Sequence, residues 1–134
     1  MTVPVNVWYG LATAIYVSVV YALSSLPDLP VRRYHPALLV LSNLAHAPIF
    51  AGLTYCVLRT LGGRKASREH FAAALVLTGF VAILDEWHQS FVPGRTPSAI
   101  DLLIDFSGIA TMLFAIRARD LSVRRECEAQ CSSS

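Results

Sequence analysis

Apolar residues along this chain fall in four long blocks separated by short polar stretches. That is the pattern of membrane crossings, not of a soluble domain with one apolar stripe per helix. The blocks run from about Val5 to Leu23, Ala37 to Leu58, Phe71 to Phe91 and Ser98 to Ile116. Each is long enough to cross an apolar core of ~30 Å at a helical rise of ~1.5 Å per residue. Ser24 to Pro30, with two prolines, ends the first helix. Pro48 lies inside the second block and predicts a kink there, because it cannot donate to the Leu44 carbonyl. Arg59 to His70 reads as a short basic loop, and Pro93-Gly94 with Pro97 as a tight connection. The expected fold is therefore all-α, a polytopic four-transmembrane-helix bundle over residues 1–118. A polar tail, 119–134, is expected to begin helical and end disordered.

Composition agrees with this pattern. The 134 residues are 54% hydrophobic and 15% charged, with a mean hydropathy of +0.52. A net charge of +2 is mild and does not suggest nucleic acid, and there is no basic stripe with interleaved aromatics and no Gly-rich phosphate loop. The first block has no Lys or Arg before it and outruns a signal-peptide core, so it is expected to stay in the membrane. Cys56, Cys127 and Cys131 have no framework spacing and read as free thiols. The basic residues instead predict topology. Eight (Arg59, Arg64, Lys65, Arg68, Arg117, Arg119, Arg124, Arg125) fall in the middle loop and tail, against three (Arg32, Arg33, Arg95) in the other connections. The positive-inside rule then makes both termini cytoplasmic and turns the connections after the first and third helices outward.

With that topology, depth follows from helical rise. Asp85 stands ~21 Å above Phe71, in the outer half of the membrane. Asn43 and His46 in the second segment, Asp85, Glu86, His88 and Gln89 in the third, and Asp101 and Asp105 in the fourth share one layer, closed from above by Arg95. Asp85, His88 and Gln89 are spaced i, i+3, i+4, which predicts a common helix face. Asp101 and Asp105 are spaced i, i+4, and Gly108 continues their face where another helix could approach closely. Buried charge in a bilayer is costly and usually functional. Four carboxyls near one arginine call for protonated histidines, protonated carboxyls or a bound cation. Asp85, His88, Asp101 and Asp105 are the candidate ligands of a divalent ion, although no strict zinc motif is present.

The run Asp85-Glu86-Trp87-His88-Gln89-Ser90-Phe91-Val92-Pro93-Gly94-Arg95-Thr96-Pro97-Ser98-Ala99-Ile100-Asp101 resembles the signature of the VanZ-like membrane proteins: an Asp-Glu pair, Gln, Pro-Gly-Arg, then Ser and Asp. Asp105 and Gly108 match the polar residue and glycine that follow. Ser24-Ser25-Leu26-Pro27 is similar to the family's Ser-Ser-x-Pro, and His46 to its second-helix histidine. Two positions depart from the pattern: Asn43 stands where a Lys is frequent, and Asp105 where an Asn is frequent, which makes this site more acidic. The resemblance implies a four-helix integral membrane protein of bacteria, in a family named for low-level resistance to the glycopeptide teicoplanin.

The resulting expectation is a multi-pass protein of the bacterial cytoplasmic membrane with an outward-facing polar site for an envelope lipid or lipid-linked headgroup. Asp85, His88 and Asp101 are the candidate acid-base groups. Arg95 would hold a phosphate or carboxylate by its fork, with Gln89, Glu86, His46 and Asn43 completing the binding surface. Two alternatives stand beside it. A small ion-coupled transporter would need a polar path to the other side, and the lower halves of the segments offer few polar residues. A non-catalytic membrane adaptor would use the polar layer only for helix packing.

Overall fold

The computed structural model describes residues 6–27, 36–63 and 66–132, with side chains for all of these except 36–43 and 132. The Asn43 side chain, and Arg32, Arg33, Arg64 and Lys65 of the topology argument, lie outside that set. The described residues form four helices and no strand: α1 Val7–Ser24, α2 Pro36–Gly62, α3 Arg68–Gln89 and α4 Ala99–Ser132. All four are long and apolar enough to cross a membrane. Their ends have identifiable chemical causes. Asn6 caps α1 by accepting from the Tyr9 N–H. Ser67 and His70 form a reciprocal capping box that starts α3, one turn earlier than the hydrophobic pattern suggests. α2 runs unbroken through Pro48. α4 does not end at Ile116 but continues to Ser132, where disorder was expected. No Gly or Pro occurs after Gly108 in the chain, and Ala, Arg, Glu and Leu favour helix without any apolar partner.

The Asn6 N–H donates to the Thr60 carbonyl, and the Arg95 guanidinium reaches the Leu26 carbonyl. Two ends of the bundle follow. At one end lie the start of α1, the end of α2 and the start of α3. At the other lie the end of α1, the end of α3 and the start of α4. Helix α2 packs against all three others, most extensively against α4, whereas α1 touches only α2 and α3. Only 11% of the α1 span is buried, against 33% for α2 and α3, so α1 is the peripheral helix.

Phe50, Leu53, Leu58 and Ile109 are fully buried at the centre. Thr54 and Thr78 are buried with them, their hydroxyls donating at 2.6 Å to the Phe50 and Ala74 carbonyls one turn back, which removes the cost of burying them. Trp8, Val76, Trp87, Leu103 and Phe114 point away from the bundle, as suits helices facing an apolar solvent. Gly108 sets the closest approach. A Cβ there would run into the backbone carbonyl of Ala47, so α2 and α4 meet backbone to backbone one turn below the polar layer.

Candidate functional site

The polar layer is built at the end of α3. The chain leaves that helix through a hydrogen-bonded turn, with Val92 N–H to the Gln89 carbonyl and Arg95 N–H to the Val92 carbonyl, each 3.1 Å. Gly94 takes φ +81°, the third-position requirement of a Pro-Gly type II turn. This turn folds Arg95 back over the helix end. Its Nη1 donates to Gln89 Oε1 at 3.1 Å, and Gln89 Nε2 in turn donates to Asp85 Oδ2 at 2.8 Å. Guanidinium, amide and carboxylate thus form one directed chain, in which the amide carries the arginine's polarity down to a buried acid.

Arg95 has a second task. Nε donates to the Leu26 carbonyl at 3.3 Å and Nη2 to the Leu23 carbonyl at 3.5 Å. These lie at the C-terminal end of α1, which has no basic residue in its own last turn. Arg95 supplies the cation that orphan helix carbonyls favour, and ties the peripheral helix to α3.

Glu86 is buried. Its Oε2 accepts from the Ser98 N–H at 2.8 Å, and Ser98 Oγ accepts from the Asp101 N–H at 3.3 Å. The two together cap α4 and place a carboxylate at its positive end. One turn deeper, Asp105 is fully buried and His46 is 15% exposed, with Asp105 Oδ1 and His46 Nδ1 3.1 Å apart. Holding Nδ1 against a carboxylate leaves Nε2 for a ligand or a proton. Asp85 and Arg95 line one cavity with His46, and Glu86 and Asp101 meet through Ser98.

Asp85, Glu86, Asp101, Asp105, His46, Gln89 and Arg95 are therefore brought together, as the depth argument expects. His88 is not. Its ring lies 4.5 Å from that of Tyr21, and its Nε2 is 2.9 Å from Ser25 Oγ. The single Ser25 hydroxyl proton goes to the Tyr21 carbonyl at 2.7 Å, so His88 Nε2 is the donor of that bond. The common face expected for Asp85, His88 and Gln89 is split: α1 takes the i+3 residue while the i+4 pair turns inward. The expected ion site made of Asp85, His88, Asp101 and Asp105 is accordingly not assembled. Among the described residues no group of three or more His, Cys, Asp or Glu is arranged to hold a metal ion.

Among the described residues, three buried carboxylate oxygens, Glu86 Oε1, Asp101 Oδ1 and Asp105 Oδ2, have no hydrogen-bond partner. Among the described residues, four carboxyls face one guanidinium and one imidazole, an excess of negative charge that protons or a bound group would neutralise. Beside them, a cavity of about 240 Å³ is lined by His46, Asp85 and Arg95 on one side and by Val20, Leu23 and Phe50 among its apolar walls. A groove of about 450 Å³ between α1 and α3 shares Val20 and Asp85 with it, and runs past Tyr21, Leu84 and His88.

Residues to which the sequence argument gave no site role complete this geometry. Ser24 is buried and lines the smaller cavity, Ser25 fixes His88, and Ser98 links Glu86 to α4. The signal for the first two was the Ser24-Ser25-Leu26-Pro27 run, which reads as a helix stop until α1 is seen beside α3.

Residues 3–120 match the family described as VanZ/LLP1. No curated protein and no solved structure matches the chain.

Proposed function

The chain belongs to the VanZ/LLP1 family, and from that premise we propose that it binds or modifies an envelope lipid or lipid-linked headgroup in the bacterial cytoplasmic membrane. The observation that carries this reading is the pairing of the two cavities. One presents His46, Asp85 and Arg95, and the other is an apolar groove that joins it at Val20 and Asp85. A headgroup with an attached chain fits such a pair: polar contacts orient it and apolar walls hold it. Both lie along α1, the peripheral helix, where a lipid could enter sideways from the bilayer. The eight-against-three distribution of basic residues supports an outward-facing site and cytoplasmic termini.

In this reading Arg95 offers its remaining N–H groups to a phosphate or carboxylate. The His46–Asp105 pair and Asp85 are the acid-base groups, with Asp101 and Glu86 behind them. His88 serves the groove instead. Teicoplanin susceptibility would then follow from a change in the lipid-linked pool that the glycopeptide meets. Transport is less well supported. Below the polar layer the bundle axis is filled by Phe50, Leu53, Leu58 and Ile109, and both threonines there are satisfied within their own helices.

Asp85→Asn and Asp105→Asn test the proposal, because each removes charge while keeping shape and a hydrogen-bond acceptor. Lipids co-purifying with the wild-type and variant proteins would be identified by mass spectrometry, alongside whole-cell lipid profiles and teicoplanin sensitivity. We expect an envelope lipid bound to the wild type and depleted at least about tenfold in the variants, the loss of one charge-assisted contact. Folded variants with unchanged bound lipids, unchanged profiles and unchanged sensitivity would sink it.

A further inference from the structure

The opposite end of the bundle holds a cavity of about 610 Å³ between Arg59 in the last turn of α2, Ala66 just before α3, and α4, within the ~300–1,000 Å³ range of small-ligand sites. Arg59, Arg117, Arg119 and Arg124 line it, against one carboxylate, Asp120. Arg117, Asp120 and Arg124 recur at i, i+3 and i+7, one face of α4. Arg59 comes from α2 and is only 4% exposed. It is fixed over the Tyr55 ring at 5.1 Å, and its Nη1 donates to the Gly63 carbonyl at 2.8 Å. The one ion pair found among the described residues is His46–Asp105, so none of these four guanidinium groups is paired with a carboxylate there.

Depth points the same way. Between Asp105 and Arg117 the chain carries no charged residue. From Ala99 to Ile116 α4 rises ~27 Å, close to the thickness of the apolar core. Arg117 therefore stands where hydrocarbon gives way to headgroups. Four planar donors of one sign around a void at that depth repel one another unless an anion lies between them.

We propose that this cavity is a binding site for a phosphate group, distinct from the carboxylate-rich site at the other end. Arg117 and Arg124 grip the phosphate oxygens from α4, and Arg59 forms the fixed floor. Two sources carry that chemistry at this depth: the phosphodiester of an anionic phospholipid and free phosphate.

The test uses the full chain in mild detergent, with bound lipid counted by native mass spectrometry after exposure to mixed phosphatidylglycerol and phosphatidylcholine. Wild type should retain phosphatidylglycerol in preference. Arg117→Gln with Arg124→Gln should cut retention by roughly tenfold or more, whereas Arg125→Gln, an exposed neighbour outside the cavity, should change it by less than about twofold. Arg117→Lys with Arg124→Lys, which keeps charge and loses the fork, should fall between. A second arm adds inorganic phosphate or glycerol phosphate. Displacement of the lipid identifies a free-anion site, and resistance identifies a site for the tethered headgroup. Circular dichroism and gel filtration verify folding; if the double variant does not fold, Arg119→Gln takes its place. Equal losses for Arg125→Gln and the cavity variants, or a wild type that neither prefers phosphatidylglycerol nor binds added inorganic phosphate, would overturn the proposal.

Discussion

The two seams that α2 makes with α4 and with α1 are built on different principles. Against α4 the helices meet backbone to backbone, with Gly108 against the Ala47 carbonyl and the His46–Asp105 pair one turn above. Against α1 they meet through side-chain tips. A Cβ on Gly52 would stand 2.5 Å from the Tyr16 hydroxyl, Thr13 and Thr60 hydroxyls lie 3.2 Å apart, and a cavity of about 270 Å³ remains beside Thr13 and Val17. The first seam cannot give without moving a helix, while the second can give by turning a rotamer. The carboxylate cluster thus has a fixed wall, α2–α4, and a movable one, α1. Both the 240 Å³ cavity and the 450 Å³ groove open along the movable wall. Rigid placement of the acids and adaptable packing beside them are served by different helices of the same small bundle.

Breaking the rigid seam should have the largest effect. Gly108→Ala drives a methyl group into the Ala47 carbonyl, which belongs to backbone and has no rotamer to change. Overpacking of this kind costs ~1–3 kcal/mol, with the upper end or beyond expected where backbone must move. The thermal midpoint in detergent should fall sharply, and lipid bound at the cluster should be lost, since His46 and Asp105 are carried apart. A Gly108→Ala protein with wild-type melting would mean that α2 and α4 are not held this closely.

Next comes the clamp on the movable wall. Arg95→Ala removes the contact to Gln89 and both contacts to the α1 carbonyls. Hydrogen bonds from charged groups contribute ~1.5–3 kcal/mol, and most of this loss should appear as detachment of α1 rather than global unfolding. Spin-label distances between the end of α1 and the end of α3 should broaden in Arg95→Ala and stay narrow in wild type. Arg95→Lys retains the charge but reaches at most one of the two carbonyls in the same geometry, and should give an intermediate distribution. Indistinguishable distances in all three proteins would show that α1 is held by something else.

Where the chain announced its structure and where it did not follows the same division. The four helices were legible because a bilayer demands long apolar blocks, and Asp85 with Gln89 because i, i+4 spacing is local. His88 was not, because its partner Ser25 sits on a helix whose position is set by packing and not by periodicity. Arg95 was expected to hold the phosphate or carboxylate of a ligand. Its ties to Leu23 and Leu26 go to backbone carbonyls, which leave no trace in side-chain sequence. Glu86 capping Ser98 depends on the Pro93-Gly94 turn bringing α4 back at one height. The helical start of the tail was expected. Its continuation to Ser132 was not, because the tail has no apolar face, only helix-favouring residues and none that would stop it.

The smallest effect is expected at Gly52, and it separates the two kinds of seam most cleanly. Gly52→Ala makes the same chemical change as Gly108→Ala, on α2 instead of α4. The group in the way is the far end of Tyr16, a residue only half-buried. A rotation about its side-chain torsions moves the hydroxyl clear at a cost of ~0.5–1.5 kcal/mol, part of which the better helix propensity of Ala offsets by up to ~1 kcal/mol. The melting midpoint should therefore change little, and the clamp distances at Arg95 should not change at all. If Gly52→Ala proves as damaging as Gly108→Ala, α1 is packed as rigidly as α4, and lateral entry along it is not available to a ligand.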